Sequence, residues 1–451
     1  MQITPSTFEK AKSLAAQWQG EIEQGREHAE KKFHEMMMRM LGDPMNKVFL
    51  IELLDQSFRA SENGRVADQL EYLLAKYDHD IFSPFEELLV WFFQHIGIYL
   101  PAISVPLFIQ YLRNDVSNVV IKGESSPLIS HIKMRRKEGT RVNINIIGEA
   151  VLGREEADER VRKYIRALEN PDIDYISIKI STIFSQINPL AHDWTLKQIK
   201  RPLEMIYSAA MDNTFADRNG EQQHKFVNLD MEEYRDLRLT LDAFTQTLSD
   251  PRFMSLHAGI VLQTYLPDTL SHVKALAAWA KERVEKGGAP TKLRLVKGAN
   301  QEMELTEASI RGWPCVTYLN KAESDANFKL LMDYLLDPSV APYLHTGIAS
   351  HNLFDQALGM LVAKERGVEA YYTAEMLEGM SEAAYRVLKK EEMNVILYAP
   401  TATAETFTNA IAYLVRRFDE NTAEQNFLRH SFGLQVGSPA WTSLLQSYDD
   451  A

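Results

Sequence analysis

From about residue 140 onward, short runs rich in β-branched residues alternate with longer amphipathic stretches. That alternation constrains the fold more than any other feature, because parallel strands joined by helical crossovers read this way. The expected strands are 141–147, 174–181, 225–230, 259–264, 292–297, 343–349, 370–375 and 394–398. Eight βα units predict an α/β chain closed as a (βα)8 barrel, with the last helix over the C-terminal mouth. An all-helical arm precedes it.

In such a barrel the chemistry sits at the C-terminal ends of the strands. Those ends carry Glu149 after strand one, Lys179 on two, Asp230 on three and Gln263 on four. Arg294 and Lys297 follow on five, His351 after six and Tyr398 on eight. Mutual satisfaction of polar residues explains any one of these positions but strains to explain the whole set.

Ahead of the barrel, Thr7 to Tyr77 is charged and helical in pattern, broken only around Gly42–Pro44. Phe33, Met37, Met40 and Leu41, then Val48, Ile51 and Leu54, recur at helical steps and predict a buried stripe. The methionine run at 36–38 with Met40 reads as helix packing rather than a binding surface. Residues 83–126 continue as mostly apolar helix punctuated by Pro101 and Pro106. The expected organisation is a helical arm over 1–82, a helical connection over 83–135, the barrel over 136–432 and a tail over 433–451.

Sixty-two acidic against 49 basic residues give a formal charge of −13, which repels a phosphate backbone and excludes nucleic acid as a partner. Cys315 is the only cysteine, so an internal disulfide and a multi-cysteine metal site are ruled out and no metal is expected. The N-terminus lacks a signal-peptide pattern, and no uncharged apolar run of about 18 residues occurs. A cytoplasmic setting fits, with a peripheral contact at the inner face of the membrane left open.

In the stretch ETFTNAIAYLVRRFDEN, Tyr413, Arg416, Arg417 and Glu420 fall on one helix face. A barrel helix normally turns arginines to solvent, and an isolated pair would be read that way. Framed by an aromatic one turn earlier and a carboxylate one turn later, the pair has the geometry to clamp a substrate carboxylate.

These motifs run in a familiar order: IIGEAVLG at 146–153, YISIKIS at 175–181, VNLDMEEYRDL at 227–237 and GIVLQTYLPD at 259–268. LRLVKGA at 293–299, SHN at 350–352, MLEGM at 376–380, LYAP at 397–400 and YLVRRFDEN at 413–421 follow. Together they resemble the proline dehydrogenase family, most nearly the proline dehydrogenase module of the bifunctional proline utilization A flavoenzymes. Singly, only LRLVKGA and YLVRR are fairly specific; the weight lies in nine matches in order across the barrel.

The resemblance implies FAD across the barrel mouth and oxidation of L-proline to 1-pyrroline-5-carboxylate, by hydride transfer from C5 to the flavin N5. It assigns Lys179, Arg416 and Arg417 to the substrate carboxylate, and Leu377, Tyr398 and Tyr413 to the substrate ring. Asp230 and Arg294 match residues at the reacting centre, and Glu149 a glutamate that ion-pairs with Arg416 to gate the site. Met231, Gln263, Arg294, Val296, Lys297, Gly298, Ala299, Ser350 and His351 match cofactor contacts. The chain has no convincing G-x-G-x-x-G after a strand, in keeping with a non-Rossmann flavin site. An orienting role for Asp230 is preferred to proton abstraction, since a carboxylate is a weak base toward an ammonium. A barrel-interior ion pair of Arg294 with Asp230 or Glu375 is the alternative reading of that arginine, compatible with the flavin role.

Departures from the family pattern are Asn300, where many members carry an aromatic after K-G-A, and Glu375, where glutamine is frequent. The segment 320–328 is also slightly longer. A quinone-type acceptor at the membrane surface, and an aldehyde dehydrogenase module or partner for the next step, are implied but carry no sequence signature here. Either the chain is a single-function enzyme or a fragment of a longer one, and its oligomeric state cannot be read. Two rivals remain: a Schiff-base aldolase or lyase using Lys179 or Lys297, and a silent scaffold that only binds a ligand.

Overall fold

The structure is a computed structural model that describes residues 2–27, 30, 35, 38, 43–77, 82–148, 150–217, 220–407, 410–411, 413, 427–431 and 433–451. Eight parallel strands form its centre: β1 (Arg141–Ile146), β2 (Tyr175–Ile178), β3 (Phe226–Leu229), β4 (Gly259–Gln263), β5 (Thr291–Val296), β6 (Leu344–Ala349), β7 (Tyr372–Leu377) and β8 (Val395–Ala402). Each pairs with its sequence neighbour, and β8 closes on β1 with Ile396 opposite Arg141 and Tyr398 opposite Asn143. The sheet is a closed barrel with no free edge in its wall.

Alternation along each strand sends one set of side chains outward and the other into the lumen. Outward residues such as Val142, Ile144, Ile176, Ile178, Val227, Leu229, Leu293 and Leu295 join one continuous apolar core with the surrounding helices. Each such side chain contributes roughly 1.5–3 kcal/mol by leaving water. At the bottom of the lumen, Tyr175, Phe226 and Ile396 pack as a small apolar plug. His257 stands edge-on to Phe226 and to His345 beneath it.

Each strand prediction lands on a strand, with shifted ends. The last runs four residues further than expected, to Ala402, because its extension is hydrogen-bonded on both sides: β1 flanks it on one, and a two-residue strand at Ile121–Lys122 on the other. That short strand and a two-stranded hairpin over 214–224 were not anticipated; both are too short to carry a periodic signal.

Before the barrel, the described elements are helical apart from Ile121–Lys122: α1 (Pro5–Gly25), α2 (Pro44–Ser57), α3 (Asn63–Lys76), α4 (Pro84–His95), α5 (Pro101–Asp115) and α6 (Ser125–Lys137). Proline opens α1, α2, α4 and α5 at the first turn, where its missing N–H costs nothing. Helices α2 to α5 bury a separate core around Phe49, Leu53, Leu70, Leu73, Phe93 and Val105. A second cluster, with Leu54, Val120, Ile147, Ala402 and Tyr413, fastens them to the barrel rim at β1 and β8. Helix α1 instead lies on the barrel's outer helices; its Trp18 is fully buried and donates to Glu391 Oε1 at 3.1 Å.

The stripe expected on α2 is met at Leu54, half-met at Ile51 and missed at Val48. Phe49, Leu53 and Leu54 are buried and Val48 is exposed, because the larger Phe49 and Leu53 take the inward positions. Phe33, Met37, Met40 and Leu41 lie outside the described residues, as does most of the expected last helix. No helix among the described residues is long and apolar enough to cross a membrane.

Candidate active site

Asp230 directly follows β3 and is buried. It accepts from Asn228 Nδ2 at 2.8 Å, Ser177 Oγ at 3.2 Å and the Tyr398 hydroxyl at 2.8 Å. One donor comes from β3 itself, one from the neighbouring β2, and the third crosses the lumen from β8, so the carboxylate is fixed by the barrel itself. Arg294, on β5, stacks its guanidinium over the Tyr398 ring at 4.4 Å and reaches Asp230 Oδ1 at 3.7 Å. Its Nε lies 2.9 Å from Glu375 Oε2 without hydrogen-bond alignment.

Glu375 is fully enclosed and also contacts Lys292 Nζ at 2.5 Å. Burial pushes the Glu375 carboxyl up, but the Lys292 ammonium and the Arg294 guanidinium together hold it below the usual range. For Lys292 the balance is opposite: burial lowers its pKa more than Glu375 raises it. Burial lifts the Tyr398 hydroxyl far above its ordinary value, and the adjacent Asp230 adds to the shift. Asp230, Tyr398, Arg294, Glu375 and Lys292 thus form one charged column up the lumen.

A second group rims the mouth. Lys179 Nζ, just past β2, donates to Glu232 Oε1 at 2.7 Å, and Ser181 Oγ bonds the other oxygen of the same carboxylate. Burial would lower the Lys179 pKa, but the Glu232 charge outweighs it and keeps the ammonium protonated. Gln263, at the end of β4, donates to the Glu232 carbonyl at 2.9 Å, while its buried Oε1 has no partner among the described residues. Met231 is buried between these groups in sequence.

Beyond β5, Lys297 reaches Asp325 Oδ1 at 2.7 Å and Asp355 Oδ2 at 2.8 Å. Burial opposes its charge, and the two carboxylates more than restore it. Ser350 Oγ donates to the same Asp355 oxygen at 2.8 Å. Val296 is half-buried, whereas Gly298 and Ala299 are exposed. Gly298 sits at φ +121°, and a Cβ there would stand 2.6 Å from the Tyr265 ring. Only glycine fits that approach.

After β6, His351 Nε2 accepts from the Leu377 backbone N–H at 2.9 Å. Burial lowers the His351 pKa to about 4, so the ring is neutral near pH 7 and its proton sits on Nδ1. That nitrogen has no partner among the described residues. Leu377 is half-buried at the end of β7, and Tyr413 is buried against the rim cluster. Glu149, Arg416 and Arg417 lie outside the described residues.

Sequence reasoning missed Lys292, Glu232, Asp325 and Asp355. Lys292 lies two residues before Arg294 on β5, so period-two spacing held a usable signal for it, whereas Glu232 lies past the end of β3, where no strand period applies. The two aspartates come from separate helices, α7 (Lys321–Leu335) and α8 (Leu353–Arg366), and nothing local marks them. A cavity of about 900 Å³ lies outside the barrel wall, lined in part by His131, Arg135, Glu378 and Glu382, and meets this site at His351.

Comparison with known proteins fits this geometry. The family model for proline dehydrogenase matches residues 128–430. Proline utilization A from Bdellovibrio bacteriovorus, solved after inactivation by N-propargylglycine, has a TM-score of 0.80 at 26% identity, covering 98% of this chain and 44% of that one. The protein of that name from Corynebacterium freiburgense is 37% identical with a TM-score of 0.65, covering 80% of this chain and 38% of that one. The bifunctional protein PutA of Rhizobium meliloti is 29% identical over 215 residues, 45% of this chain and 16% of that protein. The chain spans less than half the length of these relatives. Since the family match takes in all eight strands and the polar groups at their ends, the chain belongs to the proline dehydrogenase family.

Proposed function

We propose that this chain oxidises L-proline to 1-pyrroline-5-carboxylate with FAD held across the barrel mouth. The observation that carries the reading is the buried Asp230–Tyr398–Arg294–Glu375 column below a protonated Lys179. It joins a cation for a carboxylate to a rigid, water-poor polar floor.

The residues present suit a flavin. Gln263 Oε1 and His351 Nδ1 offer an unmet acceptor and an unmet donor. Arg294 supplies positive charge, and Met231, Val296, Lys297, Ala299 and Ser350 complete the set that would hold the cofactor. When bound, FAD supplies the hydride acceptor for proline C5, and a neighbouring cation such as Arg294 favours its reduced, anionic form.

The remaining work belongs to the protein. Lys179, with Arg416 and Arg417, takes the substrate carboxylate and fixes the ring's orientation. Tyr398, Tyr413 and Leu377 wall the ring, and Asp230 holds the Tyr398 hydroxyl in place. Loss of hydride from C5 needs the nitrogen lone pair, so the substrate amine must be neutral when it reacts. Glu149 closes the mouth by pairing with Arg416. Asn300 leaves more room beside the ring than an aromatic would.

Electrons then pass to a quinone-type acceptor, with the chain cytoplasmic and peripheral to the inner face of the membrane. An aldehyde dehydrogenase module or partner consumes the product. The test is an anaerobic visible spectrum before and after L-proline. Flavin bands that bleach support the proposal, and bands that ignore proline remove the substrate. A colourless protein that takes up no FAD favours imine chemistry at Lys179 or Lys297, which borohydride trapping with a carbonyl substrate would detect.

A further inference from the structure

The segment from Pro84 to Leu112 contains no lysine or arginine. Helices α4 and α5 pack inward through Phe93 and Val105, with Phe93 and Phe108 ring centroids 6.3 Å apart. Their outer surface is apolar. Phe85, Leu88 and Phe92 recur along one face of α4, Ile103 and Leu107 along one face of α5, and Tyr99 and Leu100 fill the turn between. Each of these seven side chains is at least half exposed, with Tyr99 at 80%. Of the two carboxylates on α4, Glu86 is turned to the Tyr111 hydroxyl and the Ser83 backbone N–H.

Large apolar side chains expose roughly 200 Å² each when free, so seven of them at these exposures present on the order of 800 Å² of apolar surface. A monomer's largest apolar patch seldom exceeds about 600 Å², whereas a stable dimer buries about 800 Å² per partner. Depletion of charge and enrichment in Phe, Tyr and Leu match the core of a homodimer interface. A lipid surface fits less well: interfacial helices carry Lys or Arg on the polar side, and this segment has none in a chain of charge −13.

We propose that the outer face of α4 and α5 is a self-association surface and that its partner is the same face of a second copy of this chain. Two such faces can meet about a two-fold axis with no lysine or arginine between them, and the exposed Glu87 lies about 100° around α4 from Leu88, off the Phe85–Phe92 face. This is independent of the reaction at the barrel mouth, since none of these residues belongs to it.

The test is sedimentation velocity on the 451-residue chain from about 1 to 50 μM, at and above the dissociation constants of standard-size interfaces, which run from about micromolar to picomolar. Phe92→Glu and Tyr99→Glu are run beside it, with circular dichroism as a folding control. Tyr99 is exposed enough that its variant folds even if the other does not. The expected result is a dimer that persists in 1 M salt and becomes a monomer in Tyr99→Glu with unchanged dichroism. A monomer throughout the range, or a dimer indifferent to both variants, overturns the proposal. So does a monomer that floats with neutral or anionic vesicles, which would hand the face to lipid.

Discussion

Tyr398 shows how one side chain can serve two neighbours: its hydroxyl donates to Asp230 and its ring carries Arg294. Phenylalanine keeps the ring but leaves a buried carboxylate one donor short. Tyr398→Phe should lower stability by about 1–3 kcal/mol and, through a looser Asp230, reduce turnover of proline roughly tenfold. Urea unfolding and steady-state kinetics measure the two effects separately. The Glu375 column allows a sharper comparison. Glu375→Ala strands Lys292 and Arg294 in the lumen and should cost about 3–5 kcal/mol, as removal of one partner of a buried pair does. Adding Lys292→Met should return part of that loss, giving a coupling of about 1–3 kcal/mol in a double-mutant cycle. Additive losses would show that the two charges do not depend on one another.

At the scale of elements, the strands deliver side chains and the turns after them set how closely anything can approach. Gly298, two residues past β5, holds a positive φ where a Cβ would run into the Tyr265 ring. Gly298→Ala should cost about 1–3 kcal/mol through backbone strain and reduce retained flavin, read as a lower melting temperature and a lower 450 nm to 280 nm absorbance ratio. Full flavin retention in the variant would argue against a cofactor there. The strands were legible because parallel, doubly buried β segments need β-branched runs, and each such run is local. The rim helices were harder: α2 was expected to bury Val48 and instead buries Phe49. A helical stripe fixes its period firmly, but its phase depends on what it packs against.

For the whole molecule, the bottom of the barrel sets an acid limit. Burial, aided by the Lys292 charge, lowers His345 to about 4, and burial together with His345 pushes His257 well below its ordinary value. Both are depressed in the folded state, so the stability they permit is present above the unfolded pKa of about 6.5 and lost as pH falls from there toward 4. His345 alone should remove about 1–2 kcal/mol by pH 5. Urea midpoints at pH 7 and pH 5 should therefore differ less in His345→Gln than in the parent chain. Equal slopes would mean that the histidine titrates alike folded and unfolded. The carboxylate of Glu375, held low, adds its own loss only at still lower pH.

What the sequence determined by itself was whatever short range can encode: the eight-fold βα alternation, the polar residues at strand ends, the family motifs and the proline-led helix starts. Only the tertiary structure decided the partners. It brought Asp230 to Tyr398 across 168 positions, Lys179 to Glu232, and Lys297 to carboxylates on two different helices. The reason is physical. A strand's hydrophobic pattern is written residue by residue. Which charges share a closed, low-dielectric lumen depends on barrel closure and register: a one-residue slip of β5 would turn Lys292 and Arg294 outward.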